Sequence, residues 1–189
     1  MSVVLTTLEN EVLTVTLNRP DSLNAMDNAL VEQVRQIFVD LYWRRDVRVV
    51  ILTGAGRAFC AGLDLKSWDT RESERSTAQG LDGQRRIAEI VIAMRRCPQP
   101  IIAAVNGPAS GGGFALALAS DVRLATPTAK MNAAFIRIGL SACDIGVSYF
   151  LPRMVGSSVA AEYMLTGRFF TPERAHQLGL VSEVVAPQS

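Results

Sequence analysis

Residues 103–121, AAVNGPASGGGFALALASD, constrain this chain more than any other stretch. Ile101–Val105 is a short apolar run that reads as a buried strand. Asn106-Gly107-Pro108 breaks it, and Gly111-Gly112-Gly113 then opens an apolar, Ala-rich helix running to Ser120. Strand, glycine turn, helix is the unit of an α/β fold. Three glycines at such a junction let the backbone approach a ligand closely. Their N–H groups are unpaired donors at the positive end of a helix dipole, as an oxyanion or anion site requires. The same glycines would also serve tight packing of helix on sheet, and the stretch alone leaves both readings open.

The rest of the chain repeats the alternation. Val3–Thr7 and Val12–Leu17 flank Glu9-Asn10 as a hairpin, and Asp27 caps a helix whose apolar stripe is Leu30, Val31, Val34, Ile37, Phe38 and Leu41. Val47–Leu52 is β-branched, closed by Gly54-Ala55-Gly56, and fits a strand buried on both faces. Ser67–Gly83 is polar and reads as a mobile surface segment before a helix over Gln84–Arg96, which Pro98 and Pro100 end. Short strands follow at Val122–Ala125 and Lys130–Ala133. A helical stretch over Ile145–Leu165, a Thr171-Pro172 helix start and a last strand within Gly179–Val185 complete the pattern.

Composition removes several function classes. With 189 residues and 49% hydrophobic content the chain is expected to form one globular domain. Lys+Arg 19 against Asp+Glu 18 gives a net charge of +1 without long runs of like charge, so no nucleic-acid or membrane partner is expected. Residues 1–7 show neither the basic region nor the long apolar stretch of a signal peptide, and three unpaired-looking cysteines suit a reducing compartment, so an untargeted, cytoplasmic chain is expected. A single histidine, His176, excludes metal sites that need two, and no metal is expected. There is no phosphate-loop motif, and Gly54-Ala55-Gly56 meets Phe59 where a dinucleotide fingerprint needs its third glycine.

A second segment, AFCAGLDLK at Ala58–Lys66, follows a strand and a glycine turn. Together with NRPDSLNAM at Asn18–Met26, VNGPASGGG and the terminal GLVSEVV, it resembles the enoyl-CoA hydratase/isomerase (crotonase) family in motif order over essentially the whole chain. The resemblance implies a crotonase-like α/β spiral of ββα units that binds an acyl-CoA thioester, with coenzyme A as part of the substrate and no separate cofactor. It implies that the backbone N–H groups of Leu63 and Gly112 hold the thioester oxygen. Ala25, Ala61, Gly62, Asp64, Leu65, Lys66, Gly111 and Phe135 fall at substrate-binding positions. Family members continue beyond GLVSEVV into helices that help cover the acyl site and pack trimers. This chain stops at Ser189, so that C-terminal helical segment is expected to be missing, and a homotrimer or hexamer is expected only where it is present.

The chain departs from the pattern at the acid/base carboxylates. The hydratases' two glutamates fall on Ala115 and Phe135, which cannot move protons. The remaining acidic candidate is Asp144, where related dienoyl-CoA isomerases carry a functional aspartate; it either shuttles a proton or only caps a helix beginning near Ile145. A dehalogenase is disfavoured because Ala88 stands where a histidine is needed. Double-bond isomerisation of an enoyl-CoA in fatty-acid metabolism is therefore the expected reaction, atypical hydration its variant, and a non-catalytic acyl-CoA-binding homologue the alternative. Weaker candidates are His176 and Lys66, which read as surface, Asp64 as a loop or cap residue, and Cys143 as a nucleophile or an inert buried thiol. Ser110 lacks a nearby base, which disfavours a peptidase.

Overall fold

The computed structural model describes residues 2–69, 76–143 and 145–186. The chain opens with β1 (Val4–Glu9) and β2 (Val12–Leu17), an antiparallel hairpin in register from Val4↔Leu17 to Glu9↔Val12. Its turn residues Asn10 and Glu11 both lie at positive φ, 50° and 65°, the twist that a two-residue hairpin needs. Helix α1 (Asn28–Leu41) starts where Asp27 accepts a hydrogen bond from the Leu30 N–H at 2.8 Å, and it buries Leu30, Val31, Val34, Phe38 and Leu41. Its far end is tied down by Gln99, whose side-chain amide donates to the carbonyls of Leu41 and Arg44.

β3 (Val49–Gly54) leads through a loop into α2 (Leu65–Asp69), and α3 (Thr77–Arg96) leads into β4 (Ile101–Val105). The two-residue strand β5 (Ala109–Ser110), helix α4 (Gly112–Ala119) and β6 (Val122–Ala125) follow. Then come β7 (Met131–Asn132), a 3-10 helix over Ala134–Ile138, α5 (Val147–Val155), α6 (Ser157–Thr166), α7 (Pro172–Gln177) and β8 (Glu183–Val184). The main sheet runs β1-β2-β3-β4-β6-β8, parallel from β2 onward, and β5 pairs in parallel with β7 beside it.

Four expectations change. The segment 67–83 is partly helical: α2 extends to Asp69, and α3 begins at Thr77 with a Ser76–Gln79 capping box, well before Gln84. Its first turns are exposed and polar and so carry no apolar stripe to read. The strand through Val50 and Leu52 is buried on one face only, Val49, Ile51 and Thr53 on the other being partly exposed. The helical stretch 145–165 is two helices separated by Gly156 at φ +83°. It starts at Val147 rather than near Ile145, with Gly146 as its N-cap; Asp144, for which a cap was one of two readings, lies outside the described residues.

Helix α4 is the centre of the packing. Each of its eight residues is buried, and Phe114 meets Phe170, which itself stacks on Tyr163 with centroids 3.5 Å apart. An apolar helix in an apolar layer must have its last carbonyls satisfied by something other than water. Arg123, only 7% exposed, donates to the carbonyls of Ser120 (2.6 Å) and Leu180 (2.7 Å), and Arg95 donates to that of Ala119 (3.1 Å). Cations at the C-terminal end also suit the helix dipole. The opposite end of α4, with its free N–H groups, faces the candidate site.

Candidate functional site

Two loops that leave the C-terminal ends of neighbouring strands β3 and β4 meet here. Cys60 bridges to Ala109, the N–H of Ser110 donating to the Cys60 carbonyl at 2.9 Å, and the N–H of Cys60 to that of Pro108 at 3.1 Å. The contact is so close that side chains are excluded. A Cβ on Gly62, whose φ is +95°, would lie 2.7 Å from the Ser110 carbonyl oxygen and 3.4 Å from the Gly112 nitrogen. A Cβ on Gly113 would overlap the Cys60 carbonyl, and one on Gly112 the Met26 methyl. Gly111 takes φ +51°, turning the chain from β5 into α4 while its N–H donates to the Asn132 carbonyl at 3.0 Å. The packing role of the glycines is thus real for Gly112 and Gly113, and it coexists with donor placement.

The N–H of Leu63 is set by a parallel bridge to Met26. Met26 N–H donates to the Gly62 carbonyl (2.7 Å) and its carbonyl accepts from Asp64 N–H (3.1 Å), so the intervening Leu63 N–H points away from Met26. Among the described residues neither Leu63 N–H nor Gly112 N–H has a hydrogen-bond acceptor. The Gly112 group is the first N–H of α4, where helix geometry supplies no partner.

Both residues line an apolar cavity of about 240 Å³. Ala61, Gly62, Leu65, Gly111 and Phe135 share its wall, as does Met26. Phe135 is nearly buried, its ring 3.9 Å from where a Gly111 Cβ would sit. No carboxylate lies among the described lining residues, whose polar side chains are Gln84 and Arg137. Ala115 is fully buried inside α4, away from that wall. Asp144 lies outside the described residues; Ile145, which follows it, lines the cavity.

Ala25, Asp64 and Lys66 are not among the wall residues. The Arg19 guanidinium ties the first two together, donating to the Ala25 carbonyl and, at 2.9 Å, to Asp64 Oδ2, with Asp27 Oδ2 3.3 Å away. Burial works to raise the Asp64 pKa, but the Arg19 hydrogen bond, the N–H groups of Ser67 and Lys66 and the Arg19 charge outweigh it and hold the carboxyl below its usual value. Asp64 is thus fixed as an anion, and Lys66 is exposed on α2.

Cys60 is fully buried and its thiol is pushed up to about 12 by that burial, so it is not a nucleophile. Cys143 is exposed rather than buried. His176 is exposed on α7, its Nδ1 3.2 Å from the Val181 carbonyl and away from the cavity. No group of His, Cys, Asp and Glu able to hold a metal occurs among the described residues, and none of their helices is long and apolar enough to cross a membrane. The wall residues missed in the sequence are Met26, Gln84, Ile87, Ala134, Arg137, Ile138, Leu140 and Ile145. Met26 ends the NRPDSLNAM motif but carries no chemistry that would mark it there, and Gln84 and Ile87 enter the wall only because α3 passes over it.

The profile of the family described as enoyl-CoA hydratase/isomerase matches residues 7–189. The chain belongs to the enoyl-CoA hydratase/isomerase family. It is 47% identical over 175 residues to the probable enoyl-CoA hydratase echA12 of Mycobacterium leprae, a match covering 91% of this chain and 60% of that relative. The chain thus spans about three fifths of that relative's length. Among solved structures, a probable enoyl-CoA hydratase/isomerase from Mycobacterium abscessus superposes with TM-score 0.88 at 42% identity, over 98% of this chain and 70% of that one. A monofunctional enoyl CoA isomerase from M. smegmatis gives TM-score 0.81 at 41% identity, over 98% and 78%. The α/β architecture described above is therefore the crotonase fold.

Proposed function

We propose that this chain forms the acyl-CoA site of an enzyme that moves a double bond along an enoyl thioester. In this reading the Leu63 and Gly112 N–H groups hold the thioester oxygen and Asp144 carries the proton. The observation that carries it is the pair of N–H groups without acceptors at the wall of an apolar cavity. Removing a proton from C2 of a 3-enoyl thioester sends negative charge to the carbonyl oxygen. Fixed donors stabilise that enolate more than the ground state, each by about 3 kcal/mol. The proton returns to C4, the double bond moves from C3–C4 to C2–C3, and the enzyme ends as it began.

One acid/base group suffices for such a shuttle. Adding water would need a second, and Ala115 and Phe135 supply none. Coenzyme A arrives with the substrate, so the reaction requires no other cofactor. Hydratase and isomerase names both occur among the relatives, which supports the class of chemistry.

A second reading, an acyl-CoA-binding protein without turnover, is favoured by Ala115 and Phe135 at the positions where hydratases carry their two glutamates. Asp144→Asn separates the two. On a 3-enoyl-CoA, isomerisation followed by absorbance is expected to fall on the order of 10²–10⁴-fold with binding retained. A variant that isomerises at the wild-type rate removes Asp144 from the mechanism. A wild-type chain that binds 2-enoyl-, 3-enoyl- and dienoyl-CoA tightly and converts none establishes the binding role instead.

A further inference from the structure

We infer that Met26 is a positioning residue that braces both backbone N–H donors at once, its backbone fixing the Leu63 peptide and its terminal methyl fixing Gly112. The inference rests on the reading of Leu63 and Gly112 as donors to a thioester oxygen.

The two donors belong to loops far apart in sequence, so their spacing depends on whatever touches both. Met26 does. Its N–H and carbonyl bond to Gly62 and Asp64 on either side of Leu63, which orients the Leu63 peptide from both flanks. Its side chain, 1% exposed, runs to the other loop. There its Cε occupies the space a Gly112 Cβ would need, and its Sδ lies 3.5 Å from that same point. An unbranched thioether can reach this far, and a Cβ on Gly112 would displace its methyl.

Met26 is itself anchored. The Ala25 carbonyl before it accepts from Arg19, and Asp27 after it caps α1 through the Leu30 N–H. The brace therefore connects the rigid start of α1 to the N-terminus of α4. N–H donors to a carbonyl oxygen work only when held about 2.7–3.1 Å from that oxygen's position in the charged state, so a small drift of either loop weakens the pair.

Isotope-edited infrared spectroscopy of the chain bound to butyryl-CoA labelled with ¹³C at the thioester carbon reads this directly, because that saturated ligand is not turned over. In the wild type the carbonyl band is expected to move to lower wavenumber than in free ligand. A wild-type band that does not move overturns the donor reading, and the brace with it. Given the wild-type shift, Met26→Ala is expected to lose most of it. Met26→Leu keeps nearly the same volume and a folded core but ends short of Gly112, and it is expected to lose part. A full shift in Met26→Leu and in any folded Met26→Ala overturns the brace while leaving the donors intact. Gly112→Ala, whose new methyl displaces the Met26 Cε, is expected to reduce the shift in the wild type and to cost less when Met26→Ala is already present. Losses that simply add would also overturn it.

Discussion

Arg19 sets the geometry beside the cavity at the level of single residues. It holds Asp64, the neighbour of one donor, and Ala25, the neighbour of the brace, while lying near the α1 cap. Because the Asp64 carboxyl is held below its usual value, the pair's contribution to stability is complete above about pH 4, the unfolded carboxyl's range, and is lost as pH falls through the folded value. Urea midpoints measured from pH 7 to pH 3 should therefore fall less steeply at the acid end for Asp64→Asn than for wild type. Leu63 and Gly112 could be singled out from motif order, since AFCAGLDL and SGGG mark them, and both line the cavity. Arg19 with Asp64 could not, because a pair 45 positions apart carries no periodic signal. Met26 is illegible for another reason: a lone methionine closing the polar stretch NRPDSLNAM has the same appearance whether it fills a core or braces a loop.

The elements legible in the sequence were those with a cap and a stripe. Asp27 and the apolar positions of α1 mark a helix that the structure reproduces to within a residue. The start of α3 was lost because its first turns, TAQGLDGQ, are polar and contain two glycines, leaving only the Ser76–Gln79 box as a signal. β5 has two residues, too few to show alternation, yet it supports the turn into α4. Gly113 shows how tightly these elements are fitted. Its missing Cβ would overlap the Cys60 carbonyl and lie 2.7 Å from the Cys60 Cβ, so backbone would have to move. Gly113→Ala is expected to destabilise by about 1–3 kcal/mol, the usual cost of overpacking, and thermal unfolding measures it. A melting temperature equal to wild type would show that α4 and the Cys60 loop can separate at little cost.

In the whole molecule, the donors sit outside the C-terminal ends of the adjacent parallel strands β3 and β4, where open parallel sheets commonly place ligands. That placement follows from strand order, which the alternation of strands and helices does not specify. The apolar cavity beside them is assembled from the Leu63 and Gly112 loops, α3 and the 3-10 helix over Ala134–Ile138, all brought together only by the fold. Family membership shows the class of enzyme the chain belongs to, and the geometry shows two backbone N–H groups without acceptors at an apolar wall; the proposed function reads these as carbonyl-binding donors, with Ala115 and Phe135 standing where hydratases carry glutamates. The most direct measurement is a crystal structure of the chain with butyryl-CoA. The account predicts the thioester oxygen about 2.7–3.1 Å from both the Leu63 and the Gly112 nitrogen, with the acyl chain in the apolar cavity. A bound ligand whose thioester oxygen meets neither nitrogen would contradict it.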